Sequence, residues 1–250
     1  CGVLGHGPIS HQPPQRASAR ATPATIRTAC ATRDIIDIGS LCRDFAAKHP
    51  WKGPTMTLSS ALVPSNSLLS RGLLVLGGSA FIAAASQVSV PMWPVPVTLQ
   101  TLAILLVGFA FGSRLAAVTV LAYLAEGAMG LPVFANFGNT SAFFGPTAGF
   151  LVGFVGMAWL AGLVADSGTK KVTTYALAGI VASALLYIPG VAWAMGADAV
   201  FGLDAAKWGA DSFAMIWAYY MSPFLIGDAV KAVIAALVVT GAWTMIGRKA

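Results

Sequence analysis

Two charged side chains, Asp228 and Lys231, lie inside an otherwise apolar run at residues 222–246. A charged group at the centre of a membrane helix costs about 2.5–3.5 kcal/mol on insertion scales, so it normally faces a protein or water-filled interior and has a partner. At a spacing of three residues, both side chains project from one helical face. Two interpretations remain open: an internal ion pair that cancels its own charge, or the polar end of a ligand pocket. In such a pocket Lys231 would meet a carboxylate and Asp228 would accept N–H donors.

Further polar side chains fall in the same layer of the predicted bundle as Asp228. Thr98 and Gln100 lie near one end of the second apolar run, and Tyr187 lies near the corresponding end of the fifth. Polar residues are common at the ends of spans, and tyrosine is enriched at membrane interfaces, so each residue alone is weak evidence. Their convergence on one layer favours a pocket.

The loop at residues 131–147 combines amides with aromatic rings. Its candidate ligand contacts are Asn136, Asn139, Phe134 and Phe144, with Phe137 and Phe143 nearby. Aromatic walls with a few amides suit a small, largely apolar molecule that has an amide-like polar head. A belt of aromatic residues at the membrane surface would have a similar composition.

The composition excludes several classes of function. The chain has 250 residues, of which 57% are hydrophobic and 10% charged, whereas a soluble domain carries roughly 25% charged residues. All cysteines and histidines precede residue 50, which excludes thiolate catalysis and a zinc site resting on Cys or His in the rest of the chain. We therefore expect no enzyme, no catalytic residue, no metal and no cofactor.

Charge and motif content also bear on partners. The basic excess is +4 in residues 1–55 and +2 in residues 56–250, so the basic isoelectric point gives little support to nucleic-acid binding. No GxxxxGK[ST] phosphate-binding loop occurs in the sequence. Any ATP hydrolysis linked to this chain is therefore expected in another protein.

The sequence divides into two parts near residue 55. Residues 1–55 are rich in Pro, Arg, Ala and Thr and show no sustained helical or strand period, which is typical of disorder. They are predicted to be a disordered or non-native N-terminal extension, because Met56 would make a natural start. Residues 56–250 are predicted to form a six-helix transmembrane substrate-binding domain.

Six apolar runs carry the fold prediction, and they lie at residues 72–90, 97–111, 115–129, 148–165, 172–193 and 222–246. They predict an all-α membrane protein with six transmembrane helices. Six basic residues flank the runs where six crossings place them on one side: Arg71, Arg114, Lys170, Lys171, Arg248 and Lys249. The positive-inside rule makes this side cytoplasmic. Both termini are then cytoplasmic, and the longer loops and the ligand pocket are near the outer side.

Small residues mark one face of the first apolar run. Ala80 and Ala84 form a small-xxx-small pair, which lets helices approach closely in a membrane. Packing within the monomer explains such a pair, and a face that receives a partner helix explains it equally well.

Four sequence blocks point to a known family. They are PVPVTLQT at residues 94–101, GAMGLPVF at 127–134, GPTAGF at 145–150 and GDAVK at 227–231. In this order and spacing they resemble the BioY family, the biotin-binding S components of energy-coupling factor (ECF) transporters, over about residues 68–247.

The resemblance implies a six-helix fold with an outward-facing pocket capped by loops, in the lipid of a bacterial inner membrane. It implies high-affinity capture of biotin and docking onto a transmembrane T component driven by two ABC-type ATPases, with Ala80 and Ala84 as candidate contacts with the T component. By motif match, the family's Asp-x-x-Lys pair falls on Asp228 and Lys231. The loop asparagine falls on Asn136 or Asn139.

The chemistry of biotin matches these residues. Its valerate needs a cation, which Lys231 supplies, and its ureido ring needs donors and acceptors, which Asp228, a loop asparagine and Gln100 supply. Phenylalanine and tryptophan surround its thiophane ring. The alternatives are an S component for a different small vitamin, an intramembrane enzyme and a purely structural membrane subunit that binds no ligand.

Overall fold

The computed structural model describes residues 57–58, 67–203, 205–210 and 212–247, and only the backbone at residues 198–201, 205, 206 and 247. All of these residues belong to one unit, Pro54–Ala250. The predicted extension at residues 1–55 lies outside the described residues.

Six long helices make up most of the described chain, at the places that the apolar runs predict. They are α1 (Leu68–Gln87), α2 (Gln100–Phe111), α3 (Ser113–Ala128), α4 (Ala148–Asp166), α5 (Val172–Phe201) and α6 (Ser222–Gly247). Four helical stretches are long and apolar enough to cross a membrane: Leu68–Gln87, Ala148–Asp166, Val172–Ala197 and Phe213–Ile246. At 1.5 Å per residue, the 12 residues of α2 extend only about 18 Å, which is less than the roughly 30 Å hydrocarbon layer of a bilayer.

Two segments between the helices, which the sequence predicts only as breaks, contain short secondary structure. The proline-rich break lies between two short antiparallel strands, β1 (Ser89–Val90) and β2 (Val97–Thr98). Two 3-10 turns, Ala135–Phe137 and Thr140–Phe144, occupy the loop between α3 and α4. The described chain is therefore mostly helical, as predicted, with one small exception, a two-stranded ribbon of four residues.

Two helix ends differ from the predicted ones. α5 continues through Pro189 to Phe201, because the helices packed around a membrane helix allow it to accommodate proline. The chain is helical before α6 begins at Ser222. A short helix at Phe213–Ile216 and a π-helical turn at Trp217–Met221 lead directly into it. The chain after residue 193, where the fifth apolar run was predicted to end, is therefore helical as far as Phe201.

Close helix packing depends on two glycines of α4. A Cβ atom at Gly149 would overlap the carbonyl oxygen of Pro189. A Cβ atom at Gly153 would overlap the ring of Pro189 and a methyl group of Leu186. These contacts bring α4 against α5 at the level of Tyr187. Gly149 and Gly153 thus serve packing between helices of the described chain.

Helix α1 is the most exposed of the long helices. Leu69, Leu73 and Leu76 are exposed, and so are Ala80 and Ala84. On its inner face, the hydroxyl of Ser79 donates a hydrogen bond to Glu126 Oε2 of α3 at 2.5 Å. The pair Ala80 and Ala84 is therefore exposed, unlike the glycines of α4.

Candidate ligand-binding cavity

A cavity of about 330 Å³ lies where α2, α4, α5 and α6 meet the loop at residues 131–147 and the proline-rich segment. This size is within the range of small-molecule sites. Its apolar lining includes Pro94, Val95, Pro96, Phe134, Phe150, Leu151, Phe154, Leu186 and Phe224. Its polar lining includes Thr98, Gln100, Thr101, Asn136, Ser141, Thr147, Tyr187, Tyr220, Asp228 and Lys231. By surface area the wall of the cavity is thus mostly apolar, with polar groups placed at particular points on it.

A polar cluster in the cavity wall joins three helices. Lys231 Nζ of α6 lies 3.1 Å from Asp228 Oδ1 and donates to Thr101 Oγ1 of α2, also at 3.1 Å. The Thr101 hydroxyl donates to Asp228 Oδ1 at 3.0 Å. The Tyr187 hydroxyl of α5 donates to Asp228 Oδ2 at 2.7 Å. We call these four residues the polar cluster.

The polar cluster is buried but does not use all of its hydrogen-bonding capacity. The exposed fraction is 4% for Asp228 and 8% for Lys231. An ammonium has three donors, and two of those of Lys231 are paired among the described residues. One N–H therefore remains for a molecule in the cavity, and so does acceptor capacity at Asp228 Oδ2, which accepts a single hydrogen bond, from Tyr187, among the described residues.

The local sequence explains why these side chains meet. Asp228 and Lys231 lie one helical turn apart on α6, as their spacing predicts. Thr101 is the second residue of α2, whose start is fixed because the Thr98 hydroxyl accepts the Gln100 N–H at 3.2 Å. The start of α2 thus brings Thr101 to the level of Asp228.

Gln100 and Phe134 join the cavity to α3. Gln100 Nε2 donates to the Tyr123 hydroxyl at 2.9 Å, and that hydroxyl donates to the Val133 carbonyl at 3.0 Å. The buried Phe134 ring packs edge-to-face on Tyr123, at a centroid distance of 5.3 Å, and on Phe143 at 5.4 Å. The amide nitrogen of Gln100 therefore takes part in a structural hydrogen bond, and its oxygen accepts no hydrogen bond among the described residues.

The structure brings most, but not all, of the predicted site residues to the cavity. Asp228, Lys231, Tyr187, Thr98, Gln100, Phe134 and Asn136 line it. Asn139 does not, because its side-chain oxygen accepts the Ser141 N–H at 3.3 Å and so caps the second 3-10 turn. Phe144 also lies elsewhere and is 63% exposed. Of the two loop asparagines left open by the sequence, the structure places Asn136 in the wall.

No group of three or more His, Cys, Asp or Glu side chains arranged to hold a metal ion occurs in the described part of the chain. The polar cluster has one carboxylate, which is already bonded to an ammonium and two hydroxyls. Its ammonium can donate to a carbonyl group and its carboxylate can accept from an N–H group, so the polar cluster suits an organic ligand that has both.

The cavity and its motifs coincide with a family match. A family model described as the BioY family matches residues 57–248. This chain belongs to the BioY family.

Named BioY relatives extend over much of the same region. A protein of Rhodobacter capsulatus named "Biotin transporter BioY" is 34% identical over 66% of this chain and 88% of its own length. A protein of Thermotoga maritima with the same name is 37% identical over 45% of this chain and 67% of its own length. These relatives are named as transporters, so the BioY family is a family of transport proteins and not of enzymes.

The fold agrees with the BioY assignment. The chain superposes on the crystal structure of an S-component for biotin from an ECF-type ABC transporter with a TM-score of 0.55 and 18% identity. The match covers 70% of this chain and 92% of that chain. At this identity the likeness concerns the fold alone.

Several cavity residues of this BioY chain were not predicted from the sequence, and Thr101, Tyr220 and Phe150 are three of them. Thr101 has a direct role in the polar cluster, yet a threonine at a helix start is an ordinary residue. Tyr220 lies in the π-helical turn and donates to the Trp208 carbonyl at 3.0 Å. Phe150 packs edge-to-face on Tyr187 at 6.2 Å. Thr101 and Phe150 end the PVPVTLQT and GPTAGF blocks, but their residue types do not mark them as site residues.

Proposed function

We propose that this chain is the membrane subunit that captures biotin for an ECF-type uptake transporter. The observation that carries the proposal is the buried polar cluster in the wall of an otherwise apolar cavity. The names of the relatives support biotin rather than another vitamin, because the two relatives described above carry biotin in their names. ATP hydrolysis belongs to partner proteins, since the sequence has no phosphate-binding loop.

The charge balance of the polar cluster supports one orientation of the ligand. The ammonium of Lys231 lies 3.1 Å from Asp228, so the pair has no net charge. A valerate at this place would meet the carboxylate of Asp228 as well as the ammonium. The neutral ureido ring fits better, because its oxygen accepts from Lys231 and its N–H groups donate to Asp228. We therefore assign the ureido ring to the polar cluster, and not the valerate that the sequence analysis assigned to Lys231.

The remaining walls suit the rest of the molecule. The thiophane ring and the aliphatic chain require apolar surface, which Phe134, Phe150 and Phe154 provide. Asn136 adds an amide group close to the mouth formed by the loop. In this arrangement the valerate extends away from Asp228 towards the loop residues.

The topology that accompanies this function has six membrane crossings with both termini in the cytoplasm of a bacterium. Four helices of spanning length support it. α2 and α3 complete it as shorter crossings within the bundle. Arg71, Arg114 and Lys170 then lie on the cytoplasmic side, and the loops that line the cavity face outward.

The exposed face of α1 supports docking onto a T component. Ala80 and Ala84 are exposed, one helical turn apart, beside the leucines Leu73 and Leu76. A small-residue stripe lets a partner helix approach the backbone closely. The ABC-type ATPases then act on this chain through the T component.

A competition experiment tests the proposed ligand and its orientation. Purified protein in detergent binds radiolabelled biotin, and unlabelled competitors are then added. We expect displacement by biotin and, within about tenfold, by biotinol, which lacks the carboxylate. We expect no displacement by thiamine or riboflavin. 2-Iminobiotin, which carries a basic group in place of the ureido oxygen, should compete much more weakly because that group faces Lys231.

The outcomes separate the alternatives. Displacement by thiamine or riboflavin, or no binding of biotin at all, would contradict the assignment of biotin. Tight binding of 2-iminobiotin together with loss of biotinol binding would retain biotin and reverse its orientation.

A further inference from the structure

The cavity wall that carries Asn136 is held by the end of α1. Ser86, the last residue but one of α1, donates from its hydroxyl to the Val133 carbonyl at 2.7 Å. Gln87, the last residue, contacts the turn at residues 134–137. Gln87 is not among the residues that line the cavity. Its contacts with the turn therefore act on the site from behind.

The carboxamide of Gln87 bridges the two ends of this turn. Its Nε2 donates to the Phe134 carbonyl at 3.0 Å, and its Oε1 accepts the Phe137 N–H at 3.1 Å. A tight turn of four residues is often closed by a direct bond between these two backbone groups. Here the side-chain amide lies between them and satisfies both. Gln87 therefore supports the turn together with two backbone bonds, from Phe134 N–H to Gly138 O at 2.9 Å and from Gly138 N–H to Ala135 O at 3.1 Å.

The turn needs such support because its backbone is strained. Asn136 has φ +55° and Phe137 has φ +57°. This left-handed conformation is unfavourable for residues other than glycine, and least so for asparagine. A strained conformation persists only where its surroundings determine it. Without the two bonds to Gln87, the turn would relax and Asn136 would move.

A second contact fixes the side chain of Asn136. The hydroxyl of Ser89, in β1, donates to Asn136 Oδ1 at 3.1 Å. The carboxamide oxygen is thereby committed, and Nδ2 has no hydrogen bond among the described residues. Nδ2 is then the donor that Asn136 offers to the cavity. β1 follows α1 directly, so one continuous segment sets both the backbone and the side chain of Asn136.

We propose that Gln87 is a positioning residue for ligand binding, which holds the turn at residues 134–137 so that Asn136 donates into the cavity. The inference rests on the proposed function for the identity of the ligand, biotin. It adds a residue outside the cavity to the determinants of affinity. It also connects α1, whose outer face carries Ala80 and Ala84, to the wall of the binding site.

A double-mutant cycle tests the inference. The dissociation constant for biotin is measured by calorimetry for the full chain and for Gln87→Met, Asn136→Ala and the double variant. Methionine keeps the length of glutamine but neither bonds Phe134 O nor accepts from Phe137 N–H. We expect Gln87→Met to weaken binding about tenfold in the wild-type background. In the Asn136→Ala background we expect less than a twofold further loss, because Gln87 acts through Asn136.

Two additions keep the test decisive. Ser79→Ala is the matched control, because it removes a bond of α1 to Glu126 and leaves the turn intact; its affinity should be unchanged. Amide hydrogen exchange without ligand follows residues 134–138, where Gln87→Met should accelerate exchange at Phe137 N–H.

Three results would overturn the inference: unchanged affinity in Gln87→Met, an equal loss in both backgrounds, or unchanged exchange in the turn. Failure of the wild-type chain to bind biotin would instead contradict the proposed function, and the exchange measurement would still decide whether Gln87 holds the turn.

Discussion

Burial of the charges of Asp228 and Lys231 has a desolvation free energy, and the fold alone does not need a charged pair at this place. Replacement of a buried ion pair by well-packed apolar residues is often neutral or stabilising, whereas loss of one partner costs about 3–5 kcal/mol. Both residues lie in the wall of a cavity, and each keeps unused capacity towards it. We interpret the pair as a recognition group whose charges stabilise each other until a ligand enters.

Thr101 provides the first prediction at the residue scale. Its hydroxyl accepts from Lys231 and donates to Asp228, and hydrogen bonds to charged groups contribute about 1.5–3 kcal/mol. We expect Thr101→Val to weaken biotin binding at least tenfold, as measured by calorimetric titration. Thr119→Val is the control, because Thr119 is buried on α3 and its hydroxyl bonds, among the described residues, only to the Leu115 carbonyl. Similar affinity in Thr101→Val and wild type would show that the polar cluster does not need this hydroxyl.

At this scale the sequence predicted the unusual residues and missed the ordinary ones. Asp228 and Lys231 were found because charge is costly in an apolar helix. The choice between Asn136 and Asn139 depends on turn geometry, since Asn139 is used as a cap for Ser141. Such geometry depends on backbone angles within the loop. A threonine such as Thr101 carries no distinguishing signal.

At the scale of elements, α1 is distinguished by its exposure. Its inner face contacts α3 through Ser79 and Glu126, and its end holds the loop through Gln87. Its outer face has the small residues Ala80 and Ala84, both of which are exposed. An exposed small-residue face beside large leucines suits a helix partner in the membrane.

Bulky residues on this face provide the second prediction. We expect Ala80→Leu/Ala84→Leu to abolish co-purification with the T component and uptake of biotin by whole cells, because the added side chains keep the partner helix at a distance. Biotin binding by the purified chain should change less than twofold. Ala184→Leu, at an exposed alanine of α5, is the matched control. Normal assembly of the double variant would assign the docking face to another helix.

Element positions were largely predictable, and element ends were not. The six apolar runs gave six helices in the described chain because hydropathy follows burial in lipid or in the bundle. The end of α5 was placed too early, at residue 193, because it was read from polarity, whereas the helix continues to Phe201. The lead-in to α6 includes a π-helical turn at Trp217–Met221, and such turns have no simple sequence signal.

At the scale of the whole molecule, the loops that surround the cavity lie at one end of the bundle and the basic turns at the other. The turn between α4 and α5 carries Lys170 and Lys171, and the loop between α3 and α4 carries Phe134 and Asn136. An uptake protein must open its cavity to the outside to capture ligand. The positive-inside rule favours this orientation, which is part of the proposed function.

Cysteine labelling tests the orientation. In a chain whose native cysteines are replaced by alanine, we expect Met129→Cys to react with a membrane-impermeant maleimide in intact cells. Ser167→Cys should react only after permeabilisation. Both positions are exposed; Met129 follows the C-terminal end of α3 and Ser167 that of α4. Because α3 and α4 cross the membrane in opposite directions in the proposed topology, the two positions lie on opposite sides. The reverse pattern, or labelling of both positions in intact cells, would contradict six crossings with cytoplasmic termini.

The most direct test of the account removes both charges of the polar cluster together. In Asp228→Asn/Lys231→Met no unpaired charge is left buried, so the variant should fold with a Tm equal to or above that of the wild type. Calorimetric titration with biotin should then show tight binding by the wild type and at least a hundredfold weaker binding by the variant. Equal affinities in the two proteins would show that the pair is only an internal ion pair, and the assignment of this cavity to biotin would fail.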